Sequence, residues 1–349
     1  MAANLAVSVE KFAYFLEKMQ TYNLNAATLL ALMCCNVFGV TFANDFAYNG
    51  AMGPDHWGEQ FSTCSGKHQS PINIDSVNVI RRTYPPLIPD NFGSQTIGAE
   101  ILNNGHTVVV RLEYAGERPT VSGGPLVGKF VFEQLHFHWG DNDTFGSEDR
   151  INNVSFPAEL HMVFRNTKYP NFEEAAAKSN GVAVLAYFYK ITRKNNFQYD
   201  EFTELLEHVV KPGTVAKFSN PPLLWHFSHI GIDDYYTYIG SLTTPPCSED
   251  VSWIDFKEPI HISANQIERF RHLHTNDNSP MTHNYRPLQP LNDRTVYSSL
   301  TLREPNRRIK QPPSDIPFVD NMVGGATMQK PFVVGVATIM LSLSLLNAV

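Results

Sequence analysis

Gln134-Leu135-His136-Phe137-His138-Trp139 alternates polar and apolar residues without a break. Side chains of a β-strand point to opposite faces at every second residue, so Gln134, His136 and His138 share one face while Leu135, Phe137 and Trp139 share the other. One face suits packing and the other suits chemistry. Two imidazoles on one strand face can ligate one metal ion, yet a His-x-His in a half-exposed strand is as readily plain surface. A third ligand decides between the two readings.

The alternation returns in Glu159-Leu160-His161-Met162-Val163-Phe164, with Glu159, His161 and Val163 on one face. If this strand runs antiparallel beside the first, joined by the polar loop from Gly140 to Pro157, His161 approaches the other two imidazoles. Three neutral His leave a tetrahedral zinc one open position, the arrangement of a catalytic site, whereas structural zinc sites are closed by four protein ligands. Gln134 and Glu159 each stand two residues before a candidate ligand and on its face. From there a side-chain oxygen can accept the second ring N–H and fix the tautomer. The other reading leaves them on a solvated face.

Similar alternating runs predict strands over Thr107–Tyr114, Lys129–Trp139, Ala158–Arg165, Val182–Ile191 and Tyr235–Gly240. Helical patterns are few: Phe172–Lys178, Glu201–Val210 and Ser263–Leu273, the last opened by a capping box of Ser263 and Gln266. Among 349 residues the 23 Pro and 21 Gly, often in pairs such as Pro245-Pro246, mark loops between short strands. The expectation is a β-dominated α+β fold, one domain over 44–317 around a large sheet with short peripheral helices. Hydrophobic residues make up 43% and charged residues 17%, and the net charge of -7 includes no basic cluster, which argues against nucleic acid as a partner.

Both ends carry separate signals. Thr28 to Phe42 is apolar and uncharged and closes on Thr41-Phe42-Ala43, so residues 1–43 are expected to be a signal peptide cleaved near Ala43, with Met19 as an alternative start. An amphipathic globular helix is the other reading of this segment. Of four Cys, Cys34 and Cys35 would leave with the signal, so Cys64 and Cys247 remain as one disulfide or as two buried thiols. Asn142-Asp143-Thr144 and Asn153-Val154-Ser155 fit glycosylation sequons. Pro331 to Val349 is apolar with no basic flank behind it, and Gly324-Gly325-Ala326 upstream suits attachment of a lipid anchor at Gly324. The chain is therefore expected to carry a stalk and attachment region over 318–326, and a glycosylphosphatidylinositol (GPI) signal over 327–349. A retained tail helix and a buried core segment are the alternatives. The anchor reading puts the protein in the secretory pathway, on the extracellular face of the plasma membrane.

Several motifs recur in a fixed order: Gly53-Pro54-Asp55-His56-Trp57-Gly58, Gln69-Ser70-Pro71-Ile72-Asn73-Ile74, Asn103-Asn104-Gly105-His106, Gln134 to Gly140, Gly146-Ser147-Glu148, Ala158-Glu159-Leu160-His161, Gly240 to Pro246 and Asn284-Tyr285-Arg286-Pro287. With them the chain resembles an α-class carbonic anhydrase across its central body. The resemblance implies a single domain on a mostly antiparallel sheet of about ten strands. It implies Zn2+ on His136, His138 and His161, with Gln134 holding His136 and Glu159 holding His161. It implies that Thr243 relays a proton to Glu148, that Val163, Val184, Leu242 and Trp253 form an apolar wall for carbon dioxide, and that Thr244 and Tyr48 line the site. His106 would be the proton shuttle and Cys64–Cys247 the disulfide found in secreted members. Bicarbonate, other anions and sulfonamides would bind, and ester hydrolysis would be a side activity. Asp149 stands where many members have His, Phe164-Arg165 replaces a more usual aromatic pattern, and Val109 replaces a polar cavity residue, which implies slower proton transfer. A non-catalytic binding or adhesion module of the same fold is the competing reading, and such modules typically lack one or more of the zinc His. No His-Glu-x-x-His helix exists to support a zinc peptidase.

Overall fold

The computed structural model describes residues 46–228 and 232–300. The expected signal peptide (1–43), the stalk and the anchor signal (327–349) with Gly324 lie outside the described residues.

A sheet of twelve strands organises the described chain. Its path runs β11 (Val215–Lys217), β4 (Thr96–Asn103), β5 (Val108–Tyr114), β7 (Lys129–Trp139), β9 (Ala158–Asn166), β10 (Val182–Thr192), β13 (Glu249–Ser263), β12 (Tyr235–Ser241), β14 (Tyr297–Leu300) and β2 (Ile80–Thr83). Beside it β3 (Leu87–Asp90) pairs with β6 (Thr120–Gly123), which joins β7. The contacts β10–β13 and β14–β2 are parallel and the remaining pairs of this sheet antiparallel. A short parallel pair, β1 (Asn73–Ile74) with β8 (Arg150–Ile151), stands apart.

All five expected strands form, each end within one residue of its predicted position. Three helices differ in extent. Phe172–Ala176 is shorter than expected, Asp200–Leu205 continues as the 3-10 turn Leu206–His208, and Ala264–Arg271 is shorter but starts from Ser263 with the capping box complete. After Leu205 and after Arg271 the apolar pattern outlasts the helix because Leu206, Val209 and Leu273 of the following turns are buried too.

Both faces of β7 and β9 are covered, and the two coverings differ. On one side Leu135, Phe137, Trp139, Leu160, Met162 and Phe164 enter the large apolar cluster. There Phe137 stacks on Phe202 at 4.9 Å and meets Phe270 at 5.3 Å, while Trp139 meets Phe270 at 5.4 Å and gives its indole N–H to Met281 O at 2.8 Å. Each such ring contributes about 1.5–3 kcal/mol by burial, and together they fix the backbone from which the alternate residues project. The opposite face carries Gln134, His136, His138, Glu159 and His161.

No helix among the described residues is long and apolar enough to cross a membrane.

Candidate metal centre

Antiparallel pairing of β7 and β9 sets His136 directly opposite His161 and His138 opposite Glu159. The strand alternation then leaves three imidazoles on one face, with one ring nitrogen of each lying within 4.8 Å of the others. Hydrogen bonds decide which nitrogen each ring turns inward. Nδ1 of His136 is engaged by Gln134 Oε1 at 3.0 Å, and Nδ1 of His138 by the backbone carbonyl of Asn284 at 2.8 Å. In His161 it is Nε2 that pairs with Glu159 Oε1, at 2.8 Å. The free nitrogens are therefore Nε2, Nε2 and Nδ1.

The ring nitrogens that are left fit a metal. Nε2 of His138 is buried without a hydrogen-bond partner among the described residues, an expense a fold bears when a ligand completes it. Burial, and to a lesser degree the neighbouring rings, push His136 and His161 well below the ordinary imidazole range, and burial lowers His138 to about 4. All three are thus neutral at pH 7, the form that binds a cation.

Glu148 borders this cage, its Oε2 3.4 Å from His138 Nε2. Its Oε1 accepts the backbone N–H of Arg286 at 2.7 Å. Burial pushes the carboxyl up to about 8, against lowering by Thr243, by that N–H and by the Arg286 charge. A dication in the cage would pull it down again. Thr243 is buried and near enough to Glu148 to affect its charge, while Glu148 Oε2 makes no hydrogen bond of normal geometry.

The four residues expected to form an apolar wall pack together. Val163, Val184 and Trp253 belong to a second buried cluster with Leu242 packed against it, and the Trp253 ring meets His161 at 4.8 Å. Thr244 is half-buried beside it. Val109 is the strand partner of His136. A separate cavity of about 80 Å3 is lined by Phe46, Tyr48, His106, Asn276 and His283 among others. His106 stacks on Phe46 with ring centroids 4.0 Å apart, and Asn276 Nδ2 is 3.4 Å from its Nε2. The turn before it is local chemistry: Asn104 Oδ1 accepts the N–H groups of His106 and Thr107, and Gly105 has φ +85, where a Cβ would also lie 1.9 Å from Asn276. Burial and the Glu148 charge raise the Tyr48 phenol well above its ordinary value.

Cys64 and Cys247 form the disulfide, which together with Trp57 makes a small buried cluster. Cys247 N–H donates to Thr244 O at 2.8 Å, so the bridge ties down the turn that carries Thr243 and Thr244. Asn142 and Asn153 are both exposed.

One member of the site was not legible as such. Asn284 holds His138 through a backbone carbonyl, a group that every residue has, and its side chain also accepts Trp139 N–H at 2.7 Å and donates to Phe137 O and His106 O at 3.0 Å. The motif Asn284-Tyr285-Arg286-Pro287 was its only trace in sequence.

A twelve-stranded sheet bearing three convergent imidazoles on adjacent antiparallel strands defines a metal-site protein of the carbonic anhydrase type. The family model for eukaryotic-type carbonic anhydrases matches residues 52–300, and the chain belongs to this family. It is 41% identical to mouse carbonic anhydrase 7 over 262 residues, which cover 73% of this chain and 97% of that protein. Human carbonic anhydrase 3 is 36% identical over 264 residues, 74% of this chain and 99% of its own length. Membership carries the family's general activity, carbonate dehydratase, its zinc dependence, and carbon dioxide, bicarbonate and sulfonamides as ligand classes.

Proposed function

We propose that this protein hydrates carbon dioxide reversibly at a zinc ion held by Nε2 of His136, Nε2 of His138 and Nδ1 of His161. The observation that carries the reading is the inward convergence of those three nitrogens, with His138 Nε2 buried and unpartnered. Zinc bound there supplies a water acidified to a pKa of about 7, the reference value for carbonic anhydrases as a class rather than one measured on this chain.

The protein's own groups do the rest. Gln134, Glu159 and the Asn284 carbonyl hold the rings in their metal-binding tautomers. Thr243 would accept a hydrogen bond from the attacking oxygen and donate its own O–H in a hydrogen bond to the Glu148 carboxylate, so that a lone pair faces the substrate. Its N–H then serves the bicarbonate oxygen. Val163, Val184, Leu242 and Trp253 exclude water and receive an uncharged substrate, and Thr244 and Tyr48 line the same space. His106 carries the released proton outward from the cavity mouth, a task suited to a group titrating near neutrality. Hydrolysis of activated esters at the same site is a side activity. A stopped-flow hydration assay with and without a zinc chelator tests the reading, and chelator-resistant hydration by metal-free protein would overturn it.

The second part of the proposal concerns location: export to the cell surface, with residues 1–43 removed, Asn142 and Asn153 glycosylated, and a GPI anchor attached at Gly324. It is supported by the apolar segments at the two ends and by the Cys64–Cys247 bridge, since structural disulfides persist in oxidising compartments. Release of the protein from intact cells by a phosphatidylinositol-specific phospholipase is expected; retention after treatment would reject the anchor.

A further inference from the structure

Behind the metal cage three carboxylates meet without any exposed surface. Asp149, Glu159 and Asp255 bring an oxygen each to within 4.8 Å of one another. Their supply of hydrogen-bond donors is unequal. Asp149 Oδ1 accepts the Ile72 N–H at 2.6 Å, and the Tyr238 hydroxyl reaches its two oxygens at 3.2 and 3.1 Å. Glu159 Oε2 accepts the N–H groups of Glu148 and Asp149 at 2.9 and 3.0 Å, and Oε1 pairs with the His161 ring. Among the described residues no donor gives a hydrogen bond to either oxygen of Asp255.

Donor counting therefore separates the three acids. Asp149 and Glu159 are surrounded as anions are, by N–H and O–H groups. An anionic Asp255 would be a buried charge with nothing to solvate it, whereas a carboxylic acid is itself a donor and needs only an acceptor. We propose that Asp255 is held as a neutral carboxylic acid in the folded protein and donates its O–H to Asp149, the two sharing one proton.

The surroundings agree. Among the described residues the ionisable groups that bear on the pair are Glu159 on β9, Glu148 beside Asp149, Tyr238 on β12 and the half-buried Arg294. Burial first, then the Asp149 charge, pushes Asp255 well above the ordinary carboxylate range. A calcium or magnesium ion needs about six or more oxygens, several of them neutral, and here the oxygens of Asp149 and Glu159 are already taken by donors. Asp255 is thereby a positioning residue. It acts through Asp149 on the turn whose two N–H groups rest on Glu159 and which carries Glu148. This goes beyond the carbon dioxide reading, and its test does not use activity.

Infrared difference spectra of zinc-loaded wild type against Asp255→Asn at pH 7 should show the carbonyl stretch of a protonated carboxylic acid in the wild type, lost in the variant and shifted by 13C-aspartate labelling. Denaturation over a pH series supplies a second readout. Because the folded wild type would bind a proton at Asp255 that the unfolded chain releases above about pH 4, the ratio of its unfolding constant to that of Asp255→Asn should rise up to about tenfold per pH unit above that point. Should the Asn variant not fold, Asp255→Leu, neutral and without a donor, must lose the same band. Absence of the band together with a flat ratio would mean an ionised Asp255 and overturn the proposal, as would a stoichiometric second metal in the wild type that the variants lose.

Discussion

His161 gives up its Nε2 to Glu159 across 2.8 Å and so turns Nδ1 toward the other two imidazoles, the reverse of the nitrogen that His136 and His138 present. A carboxylate two residues back on the same strand face thus selects the ligand atom.

The same reasoning applies to the half-buried Gln134, whose replacement does not threaten the core. Gln134→Ala should leave the fold intact and weaken zinc binding by about 10- to 100-fold. Competition with a chromophoric chelator measures this, and an unchanged affinity would show that the His136 ring is held by packing alone.

In metal-free protein the three imidazoles should make a contribution to stability that is lost in acid, while Glu148, whose carboxyl burial pushes up to about 8, acts in the opposite sense over the same range. An imidazole whose folded pKa lies below the unfolded value of about 6.5 binds fewer protons when folded, so stability is full above that value and falls as pH falls. For His138 the window runs from about 6.5 down to about 4, and His136 and His161 shift in the same direction. Each such His raises the unfolding constant up to about tenfold per pH unit within its window. Denaturant titrations of chelator-treated wild type against chelator-treated His138→Gln over that range check it, because the buried carboxyls are common to both and the ratio of their unfolding constants isolates the imidazole.

Thr243→Ala should lower kcat/KM for carbon dioxide hydration by about 100-fold, at the low end of what a positioned proton-transfer group contributes, with zinc content unchanged. Stopped-flow assay paired with metal analysis separates this from simple loss of the ion.

His106→Ala should reduce kcat more than kcat/KM, and millimolar imidazole should restore part of the loss, since a diffusing base can replace a group at the cavity mouth. Without rescue, protons leave by another route, and His283 on the same cavity would be the next residue to replace.

Replacing both Cys64 and Cys247 by Ser should cost about 2–5 kcal/mol of stability. The bridge spans a sequence separation of 183, and it restrains the turn bearing Thr243 and Thr244. Equilibrium denaturation gives the number, and activity below the unfolding transition should also fall if that restraint matters to the site.

How far the sequence could be read depended on whether a residue acts through its side chain. His136, His138 and His161, with Gln134 and Glu159 in phase, follow from period-two alternation, and only strand pairing was needed to join them. β13 escaped the pattern search because Val251 to Phe256 is buried throughout, so no alternation exists to find. Its place was set by parallel pairing with β10 on one side and antiparallel pairing with β12 on the other.

By itself the sequence determined which residues share a strand face, which chemistry they bring and, through motif order, the family. Those are local or additive properties, carried by side-chain type and spacing. Tertiary structure alone decided which nitrogen of each imidazole faces the centre, that the Asn284 carbonyl holds His138, and that Asp149, Glu159 and Asp255 meet fully buried. Each of these rests on distances between segments far apart in the chain, on backbone groups common to all residues, and on burial, none of which a side-chain pattern encodes.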